Sequence, residues 1–272
     1  MLNKLIHGPQ GFAVGVRASA AVVAGLMGIS CAIMQPRPRP RQPSERSVTE
    51  GAPQNAPDRP SGLTLLRDKA YTMNLLSGVL VKLGFFFPIF YLQLFAIKHG
   101  IDENLSFYTV SLINAGGVIG RLIPSFLADR LGSYNMLIPD IFAIAAFILG
   151  MLGATNPAGI IVISLLYGIG NGAYTSVAPA LLTDLSKGVD EVGVRVGVWF
   201  TFIALSSLFG QPIAGALLTP SFIWWRGAVF SGILVVLGGV ALVASRYYFV
   251  RGTGVPAFGH RKGLGRWVGP GE

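Results

Sequence analysis

The chain has 272 residues, of which 52% are hydrophobic and 12% charged, and its mean hydropathy is +0.60. A soluble domain carries about 25% charged residues, so this composition excludes an ordinary cytosolic protein and indicates an integral membrane protein. The net charge of +9 is explained by Lys and Arg in cytosolic loops rather than by nucleic-acid binding, because no basic and aromatic platform lies outside the apolar segments.

Continuous apolar segments follow one another along the chain, separated by short polar or Pro/Gly stretches. A helix needs about 20 apolar residues to cross a bilayer, and about seven segments reach or approach this length. They run over 12–34, 71–97, 105–127, 134–153, 158–183, 192–218 and 222–249. Because the runs do not alternate with polar residues, the sequence predicts an all-α, multi-pass membrane protein.

The first segment allows two interpretations. Lys4 could belong to the charged region of a signal peptide, but Arg17 interrupts the apolar core and no small-residue cleavage site precedes the next segment. We therefore interpret residues 1–34 as the last transmembrane helix of a preceding bundle. Arg17 lies near the outer end of this helix, where its side chain can reach the interface.

A Pro- and Arg-rich stretch, residues 35–70, separates this segment from the rest. It has little apolar surface to bury, so we expect an extended or disordered linker. A bundle of six helices is then expected over 71–250, and a basic tail over 251–272.

The distribution of Lys and Arg predicts the orientation. Most of these residues lie in the linker, in the tail and in loops on the same side, to which we assign Arg130, Lys187 and Arg195. The opposite side has Lys4 and Lys98. The positive-inside rule therefore places the linker and the C-terminal tail in the cytosol, although the sequence does not indicate whether the membrane is the plasma membrane or an internal one.

Glycine pairs spaced four residues apart predict close helix packing. Gly116 and Gly120 form one such pair, and Gly193 and Gly197 form another. The sequence "GIGNG" (168–172) could be read as a phosphate-binding loop. No strand precedes it, so close helix packing is the favoured interpretation.

Ionisable side chains within the apolar segments are candidates for function, because an uncompensated charge in the bilayer costs at least ~2.5–3.5 kcal/mol. Arg226 follows Trp224 and Trp225 and is explained by an interfacial aromatic belt. Lys82 lies midway along its segment, and we leave open whether it binds an anion or pairs with an internal carboxylate.

Arg121 also has two interpretations. It lies about 9 Å from the cytosolic end of its segment, and Asp140 lies at nearly the same depth in the next one. The two residues could form an ion pair that joins neighbouring helices. Alternatively, the planar guanidinium of Arg121 could anchor a substrate carboxylate through two hydrogen bonds.

The stretch "GRLIPSFLADRLGSYN" resembles the C-terminal half of a major facilitator superfamily transporter, most closely the fungal monocarboxylate-transporter-like branch. Asp129, Arg130 and Gly132 match the superfamily motif G-x-x-x-D-[RK]-x-G-[RK]-[RK]. Ser125 replaces its first glycine, and Ser133 and Tyr134 replace its final basic pair. The stretches "FFFPIFYLQLFA" and "GVRVGVWFTFIALSSLFGQPIAGALL" are similar to the same branch.

The resemblance implies a fold of twelve helices in two bundles, of which this chain supplies the second bundle and one helix of the first. We expect either a fragment of a longer protein or a half-transporter that associates with a second chain. The resemblance also assigns roles to individual residues. Arg121 becomes the substrate anchor, and Asn114 and Lys82 are further candidates for substrate binding. Asp129, Arg130 and Gly132 become a conformational latch. Gly117 stands where animal members carry an acidic residue.

These observations predict a secondary transporter for a small organic solute, expected to be a monocarboxylate or another organic anion. The alternative is a non-transporting, degenerate membrane protein, or a half-subunit that acts by associating with another membrane chain. We expect no enzyme activity, cofactor or metal, because no nucleophile is paired with a base and no Cys or His cluster has metal-ligand spacing.

Overall fold

A computed structural model describes residues 11–34, 65–186, 188–218 and 222–253, and the chain divides into two compact units, Met1–Ala56 and Pro57–Glu272. The first unit contains helix α1 (Gly11–Ile33). Helix α1 has 23 residues, and its role as the last transmembrane helix of a preceding bundle stays a prediction. Most of the predicted linker and tail lies outside the described residues, so their structure and side of the membrane stay predictions.

The described part of the second unit consists of helices, together with a short 3-10 turn at Met151–Gly153. The helices are α2 (Lys69–Phe85), α3 (Phe87–Lys98), α4 (Glu103–Leu131), α5 (Ser133–Gly150), α6 (Pro157–Leu185), α7 (Val189–Leu218) and α8 (Trp224–Thr253). Within the described residues, six spans are long and apolar enough to cross a membrane, with α2 and α3 together forming one of them. The structure therefore confirms the all-α membrane fold.

Polar side chains set the starts of three spans. Asp68 accepts hydrogen bonds from the backbone of α2, Asp102 does so for α4, and Asn156 for α6. These caps satisfy backbone N–H groups that have no partner inside the helix. Leu65, three residues before the first cap, is only 2% exposed. The last residues of the predicted linker are thus packed against the bundle, and α2 already begins at Lys69.

The predicted segment 71–97 is divided by a break at Phe86. Pro88 lies in the first turn of α3 and has no N–H to donate to the preceding turn. The hydroxyl of Tyr167 in α6 donates to the carbonyl oxygen of Phe85, so this buried backbone group has a partner from another helix. The break thereby fixes α2 and α3 against α6.

Glycines bring α4 and α6 into direct backbone contact. A Cβ atom added to Gly116 or Gly120 would collide with the backbone of α6 at Leu165 or Ile169, and one added to Gly168 would collide with Ile113 of α4. The predictions for Gly116, Gly120 and the "GIGNG" stretch are confirmed. The prediction for Gly193 and Gly197 is wrong in this structure, because a Cβ atom at either position meets nothing within 4 Å. The face of α7 that carries them is turned away from the bundle.

The turn between α4 and α5 consists of Gly132 alone. Its φ of 92° lies in a region that residues with a side chain rarely adopt, which explains the glycine. The backbone N–H of Gly132 donates to the carbonyl of Ala128 at 2.8 Å. Helix α4 therefore continues to Leu131, four residues beyond its predicted end.

Candidate functional site

Lys82 lies inside the bundle, one turn before the break between α2 and α3. Its side chain is largely buried, at 8% exposure. The ammonium lies 3.8 Å from the ring centroid of Phe85, 5.1 Å from that of Phe86 and 5.0 Å from that of Tyr174. It forms no ion pair with any residue that the structure describes. Internal pairing with a carboxylate, one of the two predictions for Lys82, is therefore not observed.

The aromatic contacts alone offset only part of the cost of burying Lys82. Cation–π contacts contribute from ~0.5 to about 2 kcal/mol when desolvated, against at least ~2.5–3.5 kcal/mol for a charge at the centre of a bilayer. An anion bound beside the ammonium would offset the remainder. The surroundings of Lys82 therefore suit an anion-binding site.

Arg121 is exposed on α4 and does not form the ion pair with Asp140 that we considered from the sequence. The two residues do not pair because α4 ends at Leu131, four residues beyond its predicted end. Ten residues separate Arg121 from the helix end at Leu131, a rise of about 15 Å, whereas seven residues, about 10 Å, separate Asp140 from the start of α5. Arg121 lies about one turn deeper than Asp140. The residue of α4 that faces Asp140 is Pro124.

Helix α6 contacts both the backbone of α4 at Arg121 and the side chain of Lys82 in α2. A Cβ atom on Gly172 would meet the backbone nitrogen of Arg121 at 3.0 Å, and the ring of Tyr174 contacts Lys82. The two cations differ in depth by about one helical turn. Lys82 is thirteen residues, about 20 Å, from the start of α2, compared with about 15 Å for Arg121 from the same end of the bundle. The fold thus places the backbone at Arg121 and the ammonium of Lys82 beside one stretch of α6.

Asn114 lies on α4, seven residues before Arg121, and two helical turns place both side chains on one face of the helix. Its amide donates to the backbone carbonyl of Val110 at 2.9 Å, and the residue is exposed. The side-chain oxygen of Asn114 is thus on the open face of α4 that also carries Arg121.

Asp129 and Arg130 occupy the last turn of α4 and are both exposed. The guanidinium of Arg130 lies 5.5 Å from the ring centroid of Phe126, one turn earlier on the same helix. These residues and Gly132 form an exposed end of α4, and no described residue pairs with either charge.

Asp140 faces a cavity of 260 Å³ between α4, α5 and α6. The cavity is lined by apolar side chains, including Pro124, Pro139 and Val177. The Oδ2 atom of Asp140 is buried and has no hydrogen-bond partner in the structure. A buried acceptor without a partner costs stability, so Asp140 is not explained by packing.

A buried charge cluster that the sequence did not reveal surrounds Arg195. We had assigned Arg195 to a cytosolic loop, but it lies inside α7 and is 1% exposed. Its guanidinium donates to Asp68 at 3.0 Å and to Glu191 at 3.1 Å. The hydroxyl of Tyr71 donates to the backbone carbonyl of Arg195 at 2.8 Å. The contact with Asp68 joins residues 127 positions apart, which no local pattern could show.

A second polar contact joins α5 to α6 at the end of the bundle where the Arg195 cluster lies. The hydroxyl of Ser133 donates to Asp184 at 2.6 Å. Ser133 stands where the superfamily motif has a basic residue, and here it makes a hydrogen bond to a carboxylate. Among the described residues, no group of three or more His, Cys, Asp or Glu side chains could hold a metal ion.

The six apolar spans among the described residues and the glycine-mediated helix contacts define a polytopic membrane protein. The family model for the Major Facilitator Superfamily matches residues 10–160 and 141–267. The chain therefore belongs to this superfamily, as the sequence resemblance implied.

Fungal transporters are among its relatives. An MFS-type transporter of Gibberella moniliformis is 30% identical over 93% of this chain and 58% of its own length. The agnestins efflux protein AgnL12 of Paecilomyces divaricatus is 32% identical over 85% of this chain and 50% of its own. The MFS transporter asaE of Aspergillus flavus is 32% identical over 94% of this chain and 54% of its own.

The chain thus spans about half the length of the curated relatives that it matches. These relatives are named as transporters or efflux proteins rather than enzymes, and they do not favour the non-transporting alternative. None of the three names identifies the monocarboxylate branch, so that part of the resemblance stays a prediction.

Proposed function

We propose that this chain forms one half of a secondary transporter that moves a small organic anion by alternating access. The observation that carries the proposal is the pair of cations, Lys82 and Arg121, neither of which has an ion-pair partner among the described residues. The Lys82 ammonium and the backbone at Arg121 lie beside one stretch of α6. Cations kept at this depth in a membrane protein mark the path of a charged solute.

Arg121 is proposed to anchor a carboxylate, as the resemblance to the monocarboxylate-transporter-like branch implies. A guanidinium binds a carboxylate through two parallel hydrogen bonds, whereas an ammonium acts as a single point of charge. Asn114, on the same face of α4, would contribute a neutral hydrogen-bonding group. A relative named as an efflux protein supports outward movement of an organic compound.

A transport path requires a wall opposite this bundle. Helices α4 and α7 are the least buried spans, and their exposed faces could pack against a second bundle. We propose that this bundle comes from the same polypeptide or from a second half-transporter chain, and that the present chain alone moves no solute. Secondary transporters bind their solute between two such repeats.

The test is solute uptake by the complete assembly with Arg121→Lys, Arg121→Ala and Asp129→Asn. We expect both Arg121 variants to lose at least tenfold in transport of a carboxylate while folded yield stays normal, because neither substitute offers the two-bond fork. Asp129→Asn, at the proposed latch formed by Asp129, Arg130 and Gly132, should lower the transport rate and leave solute affinity unchanged.

Strong carboxylate uptake by Arg121→Ala would end the anchor hypothesis. Arg226→Ala serves as the control, because Arg226 is exposed beside the ring of Trp225 near the start of α8 and has no proposed role in binding. Uptake by the present chain alone, without self-association, would show that no second bundle is needed.

A further inference from the structure

A row of three side chains crosses the break between α2 and α3. Lys82, Phe86 and Phe90 are spaced four residues apart and follow one face of the span. The Lys82 ammonium lies 5.1 Å from the ring centroid of Phe86, and the Phe86 and Phe90 rings meet edge to face at 6.2 Å. The row begins at a buried cation and ends at Phe90, whose side chain is 61% exposed.

The surroundings of Lys82 are aromatic on several sides. Phe85 and Tyr174 contact the ammonium from α2 and α6, and their two rings lie 5.2 Å apart. Tyr167 fixes the backbone of Phe85 through its hydroxyl. The cation is therefore held in place by rigid rings, while Phe86 and Phe90 offer ring surface toward the open end of the row.

These features distinguish between classes of anion. A small aliphatic carboxylate would use the charge of Lys82 and leave the rings of Phe86 and Phe90 without a specific contact. A planar aromatic acid could place its carboxylate at Lys82 and its ring against Phe86 and Phe90 in the offset or edge-to-face geometry that aromatic pairs prefer. The row thus has one group for each part of such a molecule.

We propose that the Lys82–Phe86–Phe90 row is a binding site for an aromatic carboxylate, with Lys82 as the charge partner and Phe90 as the determinant of aromatic over aliphatic solutes. This inference rests on the proposed function, because it assumes that the bundle binds an organic anion. It narrows the proposed solute class from small organic anions in general to carboxylates that carry an aromatic ring.

The experiment measures binding of two matched probes to the purified chain in lipid nanodiscs. One probe is 2-naphthoate, and the other is decahydro-2-naphthoate, which has the same carbon skeleton and charge but no aromatic ring. We expect 2-naphthoate to bind about fivefold more tightly, within the range that an aromatic pair contributes beyond its buried area. The uncharged 2-naphthalenemethanol should bind at least tenfold more weakly than 2-naphthoate.

Three variants of the row and one control elsewhere assign the effect to these side chains. Phe90→Leu keeps an apolar side chain and should bring the two acids to within about twofold of each other, since the preference comes from the ring. Phe126→Leu is the control, because Phe126 is similarly exposed, at 65%, but lies on α4 beside Arg130. Lys82→Met should weaken both acids, and Lys82→Arg should restore them, which separates loss of charge from loss of folding.

The outcomes separate this inference from the proposed function. Equal binding of the two acids by the unmodified chain, or a preference that survives Phe90→Leu, overturns the aromatic site and leaves anion binding intact. No binding of either acid to the folded chain overturns the Lys82–Phe86–Phe90 site, whereas the Arg121 anchor and the proposed function are judged by uptake in the complete assembly. Binding of 2-naphthalenemethanol as tight as that of 2-naphthoate overturns the role of Lys82.

Discussion

Arg195 is tolerated inside the bundle because charged and aromatic groups surround it. Two carboxylates, Asp68 and Glu191, accept from its guanidinium, which also lies 5.1 Å from the ring centroid of Tyr71. A buried ion pair adds little net stability over apolar packing, but removal of one member leaves an uncompensated charge. Loss of Arg195 would therefore leave the carboxylates of Asp68 and Glu191 without their cation.

We predict that Arg195→Ala destabilises the chain by about 3–5 kcal/mol, because Asp68 and Glu191 would remain partly buried without their cation. Thermal unfolding in detergent should show a lower midpoint than for the unmodified chain. Arg226→Ala removes an exposed arginine from α8 and should change the midpoint little. Equal midpoints for the two variants would show that the Arg195 cluster does not stabilise the fold.

Replacement of Asp140 should change stability in the opposite direction to replacement of Arg195. Asp140→Leu removes the unpartnered Oδ2 atom and places apolar volume in the 260 Å³ cavity, so we predict equal or greater stability, by about 1–3 kcal/mol. Asp184→Ala is the matched control and should destabilise by about 1–3 kcal/mol, because it leaves the buried hydroxyl of Ser133 without an acceptor. A clear loss of stability in Asp140→Leu would indicate a partner for this carboxylate that the structure does not show.

The sequence located the internal cations but not their surroundings. Lys82 and Arg121 stand out because a charge in an apolar run is costly wherever the run folds. Whether each cation has a carboxylate partner depends on helix ends and depths, and α4 extends four residues beyond its apolar run. Arg195 lies in α7 rather than in a loop, and the sequence did not reveal its contact with Asp68 because the two residues are remote in sequence.

At the scale of the elements, apolar runs predicted each span of the second unit, but they did not reveal the break at Phe86. Hydropathy stays high across "FFFPIF", so the segment reads as one helix, and only the missing N–H of Pro88 marks the change. The spacing of glycines likewise does not show which pair lies at a helix contact. Gly116/Gly120 and Gly193/Gly197 have identical spacing, yet only the first pair faces a neighbouring helix.

This difference gives a prediction for the four glycines. Gly120→Ala should destabilise the bundle by about 1–3 kcal/mol, because the new methyl group would force α4 away from the backbone of α6 at Ile169. Gly197→Ala should be neutral or stabilise α7 by about 0.5–1 kcal/mol, since alanine favours a helix and the methyl group meets open space. Folded yield and thermal unfolding measure both effects.

Gly116→Ala and Gly193→Ala repeat the comparison at the other member of each pair, and they should follow Gly120→Ala and Gly197→Ala. Loss of folded protein in both α7 variants, in the chain alone, would mean that the exposed face of α7 already has a partner. Unchanged stability in both α4 variants would show that α4 and α6 are not held by backbone contact.

At the scale of the whole molecule, the number of spans constrains the topology. The second unit has six spans among its described residues between Lys69 and Gly252, and an even number returns the chain to the side from which it started. The linker before Lys69 and the tail after Thr253 therefore belong to one side. Both are rich in Lys and Arg, so the positive-inside rule predicts the cytosolic side.

We predict that cysteines placed in the linker and the tail are labelled from the cytosolic side only. Cys31 is the single native cysteine, so Cys31→Ser gives a background for Ser47→Cys and Ala257→Cys. Asn104→Cys and Thr155→Cys are controls, because they lie at exposed positions at the opposite ends of the spans. Sealed vesicles of known orientation are treated with a membrane-impermeant maleimide, and labelling is compared before and after permeabilisation.

The linker and tail cysteines should react together, and the two control cysteines should react from the other side. Reaction of Ser47→Cys and Ala257→Cys from opposite sides would mean that one of the six spans does not cross the membrane. Shared labelling from the non-cytosolic side would keep the six spans and reject the positive-inside assignment. The two failures are distinct, because the first concerns the number of crossings and the second concerns the charge rule that orients them.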